Sequence, residues 1–135
     1  MTINMSTGEF FIYDEKFDAS TSQDSIPKIE QKGKLSLIVD NGLWKTFSFV
    51  PTNNQLDADL ACGYIFYGQL LKTIKVALKN ERFTDGSLEE KFILLTGLKN
   101  TRDTIARSWG SIEYSVDIKT SWDYIVINYK SANDH

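Results

Sequence analysis

Apolar residues between Leu56 and Asn80 keep a helical period: Leu56, Leu60, Tyr64, Tyr67, Leu71, Ile74 and Leu78 are separated by steps of four, four, three, four, three and four. That spacing puts them on one side of an α-helix. Ala61, Ile65, Phe66, Leu70, Val76 and Ala77 widen the apolar sector enough for packing on two sides. Asn54 stands where an N-cap belongs, Asp57 and Asp59 fall in the first turn, and Lys72, Lys75 and Lys79 fall in the last two, an order that complements the helix dipole. The pattern predicts a long helix over 56–80 as the organiser of the fold. Gly63 and Gly68 each cost about 1 kcal/mol relative to alanine in a helix interior, which predicts a strand packed closely against them.

Other segments alternate with period two. Glu9–Glu15 carries Phe10, Phe11, Ile12 and Tyr13 and reads as a first strand, or as an arm packed on a partner. Asp18–Lys28 has loop composition, with Pro27 near its end, and is expected to be mobile. Two β-prone runs then flank Asp40-Asn41-Gly42, a tight-turn signal, with Phe47 and Phe49 as the better core face of the second run. Ser87 and Glu90 match a capping box opening a second helix, with Leu88, Phe92, Leu95, Leu98, Ile105 and Trp109 as its seam. A short strand over 92–96 followed by a helix over 100–109 is the alternative. Ile112, Tyr114, Val116 and Ile118 define a half-buried strand, a turn follows at 119–122, and Asp123–Tyr129 returns with Ile125, Ile127 and Tyr129 inward. The element order β, β-hairpin, α, α, β-hairpin predicts an α+β fold, an antiparallel sheet of about five strands with two helices on one face. Residues 1–135 are expected to form a single domain with frayed ends at 1–8 and 131–135.

Composition adds little: 41% hydrophobic and 24% charged residues are ordinary for a globular chain. The net charge of −3 is unevenly placed, with nine acids against five lysines in residues 1–68 and nine acids against ten cations in residues 69–135. An acidic N-terminal half allows recognition by a basic partner. Cys62 is the only cysteine, so no intramolecular disulfide forms, and the first residues lack the basic and apolar regions of a secretory signal. A cytoplasmic location is the expectation. Charges at Asp57, Asp59, Lys72 and Lys75 interrupt the apolar stretch before it reaches membrane-span length.

The single histidine is His135, the last residue, which removes histidine-based acid–base chemistry, serine and cysteine triads and mixed Cys/His zinc sites. Neither a dinucleotide fingerprint nor a Walker sequence is present. No catalytic residue, metal site or cofactor is therefore expected. The candidate binding residues are Trp122 and Trp44 as exposed aromatic anchors, Asp14, Glu15 and Asp18 as an acidic cluster, and Lys72, Lys75, Lys79 and Arg82 as a basic stripe on the long helix. Together these features suggest a small non-enzymatic module that binds another protein, a toxin or a host factor, as an inhibitor or immunity-type protein of bacterial or phage origin. One alternative is a cone-like α+β fold, in which a curved sheet wraps the long helix and a carboxylate/tyrosine pocket binds or converts a small molecule. Another is a nucleic-acid accessory factor using the basic stripe, to which the acidic overall charge is opposed.

Overall fold

The computed structural model describes residues 1–79 and 86–130. Within these the chain forms strands β1 (Thr2–Ile3), β2 (Phe10–Ile12) and β3 (Glu15–Phe17), a 3-10 helix (Gln23–Lys32), and strands β4 (Gly33–Asp40), β5 (Trp44–Pro51), β6 (Leu60–Tyr67) and β7 (Leu70–Leu78). Helix α1 (Ser87–Thr96) and strands β8 (Ile105–Arg107), β9 (Gly110–Val116) and β10 (Asp123–Tyr129) complete it. The fold is α+β and antiparallel, with a larger sheet than the five strands expected. β1–β3 form a three-stranded sheet, and seven strands run in the order β4-β5-β6-β7-β10-β9-β8.

The segment expected to be a long helix is a hairpin. Leu60, Cys62, Tyr64 and Phe66 are buried at every second position of β6, and Ile74, Val76 and Leu78 do the same on β7. The helical seam at Leu60, Tyr64, Ile74 and Leu78 is thus a subset of two period-two patterns joined by a turn. Gly68, the residue that weakens a helix, supplies the turn: Tyr67 pairs with Leu70, leaving a two-residue connection in which Gly68 has φ +61°. Asn54 caps no helix; it lies in a loop at φ +67°. The expected approach of a strand to Gly63 is real, but it is lateral, through pairing with Ser48 and Lys75.

Four further expectations change. Glu9–Glu15 is not one strand: it turns at Tyr13 and Asp14, both at positive φ, so that Ile12 pairs with Glu15. In place of the loop at 18–28, Ser22 caps a 3-10 helix that buries Ile26 and Ile29. The second helix stops at Gly97, whose left-handed backbone donates its N–H to Ile93 O at 2.8 Å, and Ile105 and Trp109 belong to the β8–β9 hairpin. Residues 1–8 are tied down by β1 pairing with β2 and by the Met1 ammonium, 2.9 Å from Asp57 Oδ1.

The core fills one side of the seven-stranded sheet. On that side lie the N-terminal sheet, the 3-10 helix and α1, contributing Phe10, Ile12, Tyr13, Phe17, Ile26, Ile29, Leu88 and Phe92 against Phe49, Tyr64, Ile74, Ile112, Ile125 and Ile127. Aromatic pairs bind the layers: Tyr13 meets Phe49 edge-on at 5.0 Å and Phe17 stacks on Tyr64 at 4.8 Å between ring centroids. Tyrosine hydroxyls fix the register, Tyr13 donating to Leu60 O at 2.6 Å and Tyr129 to Gly8 O at 2.8 Å. No helix among the described residues is long and apolar enough to cross a membrane.

Candidate functional site

The opposite side of the large sheet carries no covering layer among the described residues, and its side chains follow from strand register. Ser36 pairs with Ser48, Ser48 with Gly63, Gly63 with Lys75, Lys75 with Val126 and Val126 with Glu113, one continuous row across six strands. Three small residues in succession sink the surface, and larger neighbours then form walls. The result is an open groove of about 400 Å³, floored by Thr46, Ser48, Gly63 and Ala77 and bounded by Ile38, Lys75 and Tyr124. A Cβ on Gly63 would meet only Lys75 Cβ, at 4.0 Å, so the space above Gly63 is free.

Ile38 reaches this face because β4 bulges between Leu37 and Val39, and it is 60% exposed. Beyond the groove, Trp44 and Tyr67 pair across β5 and β6 with ring centroids 4.8 Å apart and remain exposed. Lys75 Nζ lies over the Tyr124 ring at 5.7 Å. By register, Lys34 and Lys75 are charged side chains on the open face of β4–β7 and β10, and Glu113 follows beyond Val126 on β9.

The sequence-derived site residues do not assemble into one site. Trp44 and Lys75 belong to the open face. Lys79 is used structurally, its Nζ donating to Pro51 O at 2.7 Å and Asn53 Oδ1 at 3.2 Å. Lys72 sits at the β7 bulge between the pairs Ile65–Thr73 and Phe66–Leu71, and Arg82 lies outside the described residues. The basic stripe therefore dissolves, because side chains aligned at helical spacing are not aligned on a strand. Trp122 is half-buried in the β9–β10 turn rather than freely exposed. Asp14, Glu15 and Asp18 lie at the N-terminal sheet: Glu15 pairs with Lys32 at 3.2 Å and Lys28 at 3.4 Å, and Asp18 accepts from Ser20. The cone-like alternative also loses its central element, since 56–80 contributes strands to the sheet instead of a helix inside it.

The Cys62 thiol and the hydroxyls of Tyr13, Tyr64 and Tyr129 are buried. Burial pushes the Cys62 thiol up to about 12, against smaller lowering by Tyr13 and Tyr64. Tyr13, Tyr64 and Tyr129 hydroxyls are likewise raised by burial. Tyr114 is raised by burial and by its hydrogen bond, 2.7 Å, to the buried carboxylate of Asp123. No cluster of candidate metal ligands occurs among the described residues. What the open face offers is contact: apolar walls, aromatic edges, hydroxyls and the ammonium groups of Lys34 and Lys75.

Sequence reasoning missed Gly63, Ile38 and Tyr67 as surface residues; it placed Tyr124 on the outward face of its strand without singling it out as a contact. The signal was the small-residue alternation Thr46/Ser48 beside Ala61/Gly63, which has meaning only once both segments are strands.

No protein-family model and no curated protein matches the chain. Among solved structures, one chain of "Rhs1-CT in complex with cognate immunity protein RhsI1" is similar at a TM-score of 0.68 and 16% identity, covering 100% of this chain and 90% of that one. At that identity the likeness is one of fold.

Proposed function

We propose that this protein is a non-enzymatic inhibitor of immunity type, which binds a toxin domain through the open face of its seven-stranded sheet. The observation that carries the reading is that face itself: a surface uncovered among the described residues, with a groove at Gly63 and the exposed pair Trp44–Tyr67. Exposed aromatics beside apolar residues and few charges are the composition of protein-binding hot spots. The fold likeness to a chain of a complex containing an immunity protein supports the same direction. So does the silence of the buried thiol and tyrosines, together with a sole histidine at the last position of the chain. Trp44 and Lys75 are the sequence-derived residues retained as contacts, and action in the cytoplasm of a bacterial or phage-infected cell belongs to the proposal. The test is co-expression with toxin domains encoded by neighbouring genes: growth is restored by the intact chain against one of them, and a purified complex forms. Restored growth without a complex, or no protection at all, contradicts it.

A further inference from the structure

Resting on that reading, we propose that the groove is specific for an acidic-apolar segment of the partner, seating one branched apolar side chain over Gly63 with an adjacent carboxylate on Lys75. The floor has room for such a side chain because Ser48 and Gly63 present almost no volume above the sheet, and Gly63 has open space where its Cβ would lie. Ile38 and Tyr124 supply apolar walls on either side. The charge preference comes from Lys75. Its ammonium is held over the Tyr124 ring, 5.7 Å from the centroid, and no carboxylate among the described residues forms an ion pair with it. Thr46 and Ser48 add hydroxyls on the floor. Lys34 stands further along the same face, and the acid of this row, Glu113, lies beyond Val126 on β9 and accepts from Thr104, so that Lys75 is the charge lining the groove itself. A nucleic acid also carries anions, but its phosphates ask for several aligned cations, whereas this groove sets one cation beside an apolar trough.

The probe is 4-methylpentanoate, which joins a branched alkyl group to a carboxylate, compared with its uncharged amide 4-methylpentanamide in NMR titrations of the intact chain. The acid should give saturable shifts confined to Ile38, Gly63, Ile65 and Lys75, and the amide should bind roughly tenfold more weakly. Gly63→Leu should abolish the shifts by filling the trough, and Lys75→Met should make acid and amide equivalent, with melting temperature confirming that both variants fold. Shifts elsewhere on the surface, equal binding of acid and amide to the unaltered chain, or tighter binding of a single-stranded RNA across the same residues overturns the inference. In the toxin complex, unchanged affinity for both variants overturns the groove assignment and leaves the inhibitor reading standing. Failure of the unaltered chain to form any complex removes the inhibitor reading, which the ligand titration leaves untouched.

Discussion

Raising the pH above about 10 should unfold this protein cooperatively, because its layers are clamped by tyrosines that cannot ionise in place. Tyr13, Tyr64 and Tyr129 are at most 2% exposed, and Tyr13 and Tyr129 donate to carbonyls across the interface between the two sheets. Burial raises all three hydroxyls above the ordinary tyrosine value of about 10. In the unfolded chain they lose their protons near that value; in the folded chain they keep them. Stability from these groups is therefore complete below pH 10 and falls as pH rises past it. Each group contributes a slope of about 1.4 kcal/mol per pH unit, so three give about 4 kcal/mol per unit. The Cys62 thiol, pushed up to about 12, adds a similar slope from about pH 9. A domain with roughly 5–15 kcal/mol of stability is then exhausted within about one to three pH units. Tyrosinate absorbance and far-ultraviolet circular dichroism followed together should show the buried tyrosines ionising in one step with loss of the sheet signal. All six tyrosines titrating near pH 10 in a chain with native dichroism would refute the clamp.

Gly8→Ala should destabilise by about 2–4 kcal/mol in chemical denaturation, since Gly8 is at φ +81° and an added Cβ would fall 2.6 Å from the Trp109 ring. An unchanged midpoint would mean that the Gly8–Trp109 contact is not made. Tyr114→Phe removes the donor to the buried Asp123 carboxylate and should cost about 1–3 kcal/mol, read as a lower melting temperature. Ile29→Ala should cost about 2–5 kcal/mol because the side chain is fully buried beneath the 3-10 helix; a value within the range of surface substitutions would show that this helix is not packed.

The hairpins at 33–51 and 110–129 were legible in the sequence because their turns are marked locally, by Asn41-Gly42 and by the turn residues 119–122, although the first strand of the second hairpin ends at Val116 and Ile118, expected inward, is 94% exposed in the turn. Segment 56–80 was misread for a definable reason. Strands on either side of a two-residue turn keep their own period of two, and the turn offsets them so that Leu60, Tyr64, Tyr67, Leu71, Ile74 and Leu78 mimic a 3.6-residue repeat. The arbiters were Gly68 and the β-prone runs at 64–67 and 73–76, which carry more weight than a seam when they coincide with its centre. The 3-10 helix escaped notice because Ser22, Pro27 and their polar neighbours carry loop chemistry, while only Ile26 and Ile29 report its packing. The open-face groove was not readable from any single segment. It requires Ser36, Ser48 and Gly63, distant in sequence, to stand side by side, and that adjacency is a property of register.

The most direct test of the account is calorimetric titration of the toxin domain with Trp44→Ala and, as a control on the opposite layer, Leu94→Ala, which removes a side chain 84% exposed on α1. Trp44→Ala is expected to weaken binding by about thirtyfold or more in a chain that still folds, with its melting temperature lowered only by loss of the Tyr67 pair, and Leu94→Ala to leave binding unchanged. Binding that survives loss of Trp44 and fails on loss of Leu94 would place the partner on the helical layer and contradict it.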